Sequence, residues 1–268
     1  MTNAGSVAFK ERLVAKKPLI GTWLKTPSRT VAEVLSFSEL DVLCVDTEHA
    51  PFDREKTDAV ILACRAADMP VLVRARSASP AEILNALDSG ATGVVIPHVQ
   101  NTTEARSAAI AAHFGPGGRG YAGSTRAAGF TTKKMQAHLH DSAATTIVIA
   151  QIEDEEGAND AEGIAAVQGI DGLFIGWSDL MVVYGTTDPK DKRVQEAATH
   201  IAAAATKAGK AVGMFVPNVT LVPEWLKKGV TFFLLESDQV FLLKGAASLA
   251  GEFRQLLATP QKVAPPSR

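Results

Sequence analysis

The sequence predicts one α/β domain, a single-domain (β/α)8 TIM barrel, and three observations lead there. The chain has 268 residues with an ordinary globular balance, 46% hydrophobic and 21% charged, enough for one large barrel domain. Eight short β-branched and apolar runs recur along it, and helix-length segments lie between them. About eight strands, each followed by a helix, within about 250 residues is the arithmetic of a TIM barrel. A doubly wound open sheet would also alternate but would usually need fewer strands.

The runs are Leu19–Leu24, Val42–Val45, Val71–Val73, Gly93–Ile96, Ile147–Ile152, Gly172–Ile175, Val212–Val216 and Phe232–Leu235. Most are apolar almost throughout, as in parallel strands covered on both faces. The segments 29–40, 53–67, 80–89, 101–113, 191–208 and 239–257 carry apolar residues at three- and four-residue spacing and read as helices. Ser28, Asp53, Ser79, Asn101 and Asp238 stand where N-caps belong, and Gly90, Gly209 and Gly229 where helices should close. The interruption at 115–145 holds the Gly-rich GPGGRGYAGSTRAAG and a short helix near 131–141, an insertion of the kind that serves as a lid or subunit contact. Residues 1–257 form one barrel domain, and 258–268 read as a flexible tail.

Composition narrows the function classes. A net charge of −2 gives no basic field for nucleic acid. No apolar run approaches the roughly 20 residues of a membrane span, and the N-terminus lacks the apolar stretch of a signal peptide. Cys44 and Cys64 fall in a strand and a helix and read as buried free thiols. The expected location is the cytoplasm.

In a barrel the working residues lie at the C-terminal strand ends. The second run ends Asp46-Thr47-Glu48-His49, two carboxylates and an imidazole that suit a base and its orienting partner, or else a charged surface loop. The third ends at Arg74, with Arg76 on the same face if the chain stays extended. An arginine there suits a carboxylate or developing oxyanion, and equally a rim ion pair. Gln151 and Glu153 share one face at the end of the fifth run, and Asp179 follows the sixth. Glu153 and Asp179 could meet at one hard divalent cation, or be rim charges. Asp154-Glu155-Glu156 reads as a solvated helix N-terminus. Lys25, ending the first run, is where a Schiff-base aldolase would keep its nucleophile, although an exposed or anion-pairing lysine is the plainer reading. His98, ending the fourth run, either reaches the mouth or, the plainer reading, is a hydrogen-bonded structural histidine, and His138 and His140 read as surface residues. Gly115-x-Gly117-x-x-Gly120 spells a dinucleotide fingerprint but follows a helix, so the context is wrong.

Taken together, GTWLK near 21, DTEHAP at 46–51, VLVR at 71–74, LDSGATGVVIPHVQ at 87–100, GGRGY at 117–121, AQIE at 150–153 and DGLFIGWSDL at 171–180 resemble the HpcH/HpaI aldolases. These are the class II 2-oxo acid aldolases, and the likeness covers about residues 18–257. The resemblance implies a metal-dependent aldehyde-lyase that cleaves 4-hydroxy-2-oxo acids to pyruvate or hydroxypyruvate and an aldehyde. It implies Glu153 and Asp179 as ligands of Mg2+, Mn2+ or Co2+. His49 with Asp46 would handle protons and Arg74 would stabilise the enolate. Gln151, Ser178, Trp23 and Asp88 would bind substrate, Asp88 reaching a neighbouring subunit's mouth. It further implies hexamers, trimers of dimers, with the last helix swapped between subunits. Trp177, where proline is frequent, and Glu236, where glycine is frequent, depart from the pattern. Three other readings compete: a Schiff-base aldolase using Lys25, a citrate-lyase β-like enzyme acting on a CoA ester, and a barrel that only binds 2-oxo acids.

Overall fold

A computed structural model describes residues 4–258. The chain runs α1 (Ala4–Val14), β1 (Leu19–Leu24), α2 (Arg29–Ser36), β2 (Val42–Asp46), α3 (Arg54–Ala66), β3 (Val71–Arg74), α4 (Pro80–Asp88), β4 (Gly93–Ile96), α5 (Thr102–Ala112), α6 (Met135–Thr145) and β5 (Ile147–Ile152). It continues through α7 (Glu155–Asn159), α8 (Ala161–Ala165), β6 (Gly172–Ile175), α9 (Trp177–Val183), α10 (Lys192–Lys207), β7 (Ala211–Val216), α11 (Val222–Lys227), β8 (Phe232–Ser237) and α12 (Asp238–Ala258). The strands form a closed barrel in chain order, β8 returning to β1, and neighbours pair in parallel throughout. The predicted (β/α)8 barrel is the observed fold.

Alternation along each strand divides two apolar layers. Leu43, Val45, Val71, Val73, Val148 and Ile152 face the helices. Trp23, Val42, Cys44, Leu72, Phe174 and Leu234 fill the lumen. Within the lumen Phe174 stands edge-on to Trp23 at 5.9 Å and to Phe232 at 6.1 Å. Space for these rings comes from Gly213, where a Cβ would lie 2.5 Å from Phe174. Truncating such a ring to alanine costs about 3–5 kcal/mol. The lumen is therefore a packed core, and an opening exists only where the strands end.

The lower end is closed by α1, which the sequence pattern did not flag. Phe9 and Leu13, four residues apart, join the lumen cluster, Phe9 meeting Phe232 edge-on at 6.1 Å. Phe9 and Leu13, set among small and charged residues, are too few for a clear periodic stripe.

Ser28, Asp53, Ser79 and Asn101 cap their helices as expected, each accepting an N–H three residues on. Gly90, Gly209 and Gly229 follow helix ends at positive φ. Three local expectations need correction. Asp238 is the first residue of α12, and its carboxylate accepts the Lys25 and Thr26 amides at 2.7 and 3.0 Å; the Ser237 hydroxyl accepts the Val240 N–H instead, at 3.4 Å. The helix expected near 131–141 is α6, displaced four residues along. His138 is buried, with 3% exposure, because its ring packs against Phe114 and Tyr121; only His140 is a surface residue. Of the expected tail, Ala258 closes α12 and 259–268 lie outside the described residues.

Candidate active site

β2 and β3 pair in register so that Asp46 lies beside Arg74. Both side chains point inward, continuing the lumen alternation Val42–Cys44–Asp46 and Leu72–Arg74. The guanidinium donates from Nε to Asp46 Oδ1 at 3.2 Å and forms an ion pair through Nη2 with Oδ2 at 2.9 Å. Its Nε is also 3.3 Å from Glu48 Oε2, and its plane lies 4.2 Å above the Trp23 ring. Burial pushes the Asp46 carboxyl up, but Arg74, the His49 amide and Lys25 outweigh it and hold it below the usual range. Arg74 is raised in turn, Asp46 outweighing its desolvation.

Lys25 Nζ lies 3.1 Å from Asp46 Oδ2. The plainer reading of this lysine, an anion-pairing cation, is what the structure shows. Arg76 does not join Arg74, since β3 stops at 74 and the exposed Arg76 turns to the Phe52 carbonyl and Glu82.

Across the mouth, Gln151 and Glu153 are buried at the end of β5. Gln151 Nε2 donates to Glu153 Oε2, and the His98 amide donates to Glu153 Oε1 at 2.7 Å. To present that amide, His98 takes φ +52, a left-handed conformation with a cost of about 1 kcal/mol or more. Room for Glu153 depends on Gly176, where a Cβ would come within 2.4 Å of the Glu153 Cβ. Burial raises the Glu153 carboxyl to about 7, against the Gln151 and His98 contacts and with a further push from Asp179. Burial likewise raises Glu48, against Arg74, His49 and His98.

One oxygen each from Glu48 and Glu153 and one nitrogen from His98 lie within 4.8 Å of one another. Glu48 Oε2 and Gln151 Oε1 are buried and accept no hydrogen bond, a costly condition in the absence of a ligand. Two carboxylates and an imidazole are donors that a divalent ion accepts, so the set fits a metal. Asp179 stands half-buried in the first turn of α9, close enough for its charge to be felt by Glu153.

The remaining predicted residues are placed as follows. His49 is exposed; its backbone amide donates to Asp46 at 3.0 Å, while its ring lies 3.6 Å from Glu48 Oε2. The acid beside the imidazole is therefore Glu48, and Asp46 reaches this residue only through the main chain. Ser178 is exposed in the first turn of α9. Asp88, expected to serve a neighbouring subunit's mouth, lies where α4 ends, at the opposite face of its own barrel and 3.9 Å from Arg119. Glu48, one of the two strand-end carboxylates, and His98, for which the plainer reading is structural, both come to the mouth. The strand-end rule already pointed at both, and Glu48 follows Asp46 by two positions.

A model of the HpcH/HpaI aldolase/citrate lyase family matches residues 19–244. The chain belongs to that family. A 4-hydroxy-2-oxo-heptane-1,7-dioate aldolase of Salmonella dublin is 34% identical over 247 residues, covering 92% of this chain and 94% of the relative. Among solved structures, an HpcH/HpaI aldolase/citrate lyase family protein from Burkholderia cenocepacia J2315 aligns with a TM-score of 0.86 at 32% identity, covering 92% of this chain and 99% of the other. The citrate synthase SbnG aligns with a TM-score of 0.82 at 26% identity, covering 92% and 97%. The HpcH/HpaI barrel is thus shared along nearly the whole length.

Proposed function

We propose that this family member is a divalent-metal-dependent aldolase that cleaves 4-hydroxy-2-oxo acids, reversibly, to pyruvate or hydroxypyruvate and an aldehyde. The observation that carries this reading is the buried acid set at the mouth, Glu48 and Glu153 with Asp179 nearby, facing a fixed guanidinium. Family membership supports aldolase chemistry in general, and the Salmonella relative supports a 4-hydroxy-2-oxo acid as substrate.

Glu153 and Asp179, with Glu48 and His98 within reach, would hold Mg2+, Mn2+ or Co2+. When bound, such an ion supplies Lewis acidity, easing the build-up of charge on a keto oxygen. The chain's own groups do the rest. Asp46 and Glu48 occupy Nε and Nη2 of Arg74, which leaves Nη1 to meet the C2 keto oxygen, where negative charge develops as the C3–C4 bond breaks. Because Trp23 and Asp46 already fix the guanidinium, little reorganisation is needed at that moment. Gln151 keeps a buried carbonyl oxygen without a hydrogen-bond partner, which a substrate donor would satisfy, and Trp23 and Ser178 would complete the substrate contacts. The exposed His49 imidazole, beside Glu48, is placed to take the proton of the 4-hydroxyl in cleavage and return it in condensation.

The structure weighs against Lys25 as a Schiff-base nucleophile, since its ammonium is committed to the buried Asp46. The assembly expected from the resemblance also finds support. Along α12, Phe241, Leu242, Leu243, Leu249, Phe253, Leu256 and Leu257 are exposed, more apolar surface than a lone helix keeps in water. We infer a homo-oligomer in which this helix is covered by another subunit, working in the cytoplasm, where Cys44 and Cys64 stay reduced.

The deciding experiment follows deuterium uptake into the pyruvate methyl group by proton NMR. Exchange should vanish on chelation and return with Mg2+ or Mn2+. Exchange that survives chelation would move the chemistry to Lys25. No exchange under any condition would leave a CoA ester or a binding role.

A further inference from the structure

At the face opposite the mouth, the end of α4, the start of α1, the 119–133 loop and the C-terminal half of α6 border a partly open cavity of about 320 Å³. Water's share of liquid volume is about 30 Å³, so a molecule of several heavy atoms fits. Arg119 lines this cavity with a side chain only 2% exposed. Among the described residues its guanidinium stacks on Phe114 at 3.9 Å, and its only acid is Asp88 at 3.9 Å, beyond hydrogen-bond reach. Its Nε is buried and donates to nothing. A buried guanidinium in that condition carries an uncompensated desolvation cost.

The rest of the wall has the same sign. Arg65 lines the cavity and donates to the Gly90 carbonyl, a neutral acceptor, at 3.1 Å. Lys133 lines it too, and its partner Asp141, at 2.7 Å, is the one acid in the lining. Three cations thus face one carboxylate, with Asp88 behind Arg119. We propose that this cavity is a second ligand site that holds a small anion, a phosphate or a carboxylate, with Arg119 as its main contact and Arg65 and Lys133 beside it. The shift of His138 agrees. Burial, Arg119 and Lys133 push this imidazole down, and the single opposing acid, Asp141, does not restore it. A planar fork of donors stacked on a ring suits an oxyanion better than a point charge would. Within its own subunit the cavity lies at the face opposite the mouth, so an occupant there does not touch Arg74, Glu153 or the other groups gathered at that mouth.

The test uses the full-length, metal-loaded protein. The His138 imidazole resonance, assigned through His138→Gln, is followed while inorganic phosphate or succinate is added, with sodium chloride at matched ionic strength as control. A saturable change in the millimolar range, with the His138 pKa rising as the anion offsets the local positive charge, is the expected result. Arg119→Gln should weaken it by roughly tenfold or more. Lys133→Ala, at a more exposed position, should weaken it severalfold and leave pyruvate methyl exchange unchanged. Saturation by phosphate alone or by succinate alone identifies which oxyanion the site prefers. Three outcomes would overturn the proposal: a response no larger than the chloride control, affinity unchanged from wild type in both cavity variants, or a His138 change that follows protein concentration and not added anion. The last would mean that a carboxylate of a second copy fills the cavity. Succinate could also enter the mouth, and the His138 signal keeps the two events apart.

Discussion

At the mouth, Arg74 is buried with Asp46 at 2.9 Å and Glu48 at 3.3 Å; at the opposite face Arg119 is as deeply buried, with no acid nearer than 3.9 Å among the described residues. Both guanidiniums stack on an aromatic ring, Trp23 and Phe114. What differs is the balance of charge around them. The mouth gathers Asp46, Glu48, Glu153 and Asp179 against Arg74 and Lys25, an excess of acid that a bound cation would relieve. The other face gathers Arg65, Arg119 and Lys133 against Asp88 and Asp141, so it is short of negative charge. Unbalanced buried charge costs free energy wherever it lies, and the sign of the imbalance names the class of ligand that relieves it.

The largest effect should come from removing the acid at the centre of the mouth. Glu153→Gln keeps the shape but halves the carboxylate pair, and should cut Mn2+ affinity and methyl exchange by more than ~100-fold. Mn2+ binding is read by the loss of the free-ion EPR signal. Arg119→Gln should leave both unchanged, and a comparable loss there would dissolve the distinction between the two faces.

Next in size is a pH effect. Glu153 has a folded-state pKa of about 7 against an ordinary 4.5, so the fold favours its neutral form. The stability this gives is fully present below about pH 4.5 and is lost as pH rises through about 7. In metal-free protein Tm should therefore fall over that window more steeply than in Glu153→Gln. Binding of a divalent ion needs the carboxylate, so saturating Mn2+ should flatten or reverse the slope. Parallel slopes in wild type and variant, measured by thermal unfolding at each pH, would show that Glu153 does not carry the imbalance.

The smallest effect concerns the rim. Glu236 has φ +58, and the β1–β8 register slips there, Gly21 facing Leu234 and Trp23 facing Ser237. This is a bulge with one extra residue on β8. Its carboxylate holds Lys244 at 2.6 Å on the surface, a contact of little value. Glu236→Gly should relieve about 1 kcal/mol of backbone strain, so Tm should stay level or rise by a few degrees. A clear drop would show that the Lys244 pair outweighs the strain.

Much of this was legible in the sequence because a parallel barrel writes itself as apolar runs, and because strand-end position alone marks Asp46, Arg74, Gln151 and Glu153. What stayed hidden depended on geometry without a pattern. His98 looked structural because no sequence rule reports a backbone at positive φ that aims both an amide and a ring at Glu153. The pairing of Asp46 with the His49 main chain, and of the ring with Glu48, hinges on a turn two residues long. α1 escaped notice because its core contact is two side chains. Arg119 sat in a glycine-rich loop that read as a lid, and only packing shows that its guanidinium is buried.

The bulge at Glu236 also governs how this corner of the rim can change. A residue with φ near +58 is selected first by backbone and only then by side chain. Glycine enters freely, asparagine and aspartate at modest cost, and β-branched residues hardly at all. Variants that reshape the β8 side of the mouth at this position therefore reach it by a narrow gate, through small or short polar residues, while the neighbouring Leu235 and Ser237, strand residues without a positive φ, are limited by burial and not by backbone.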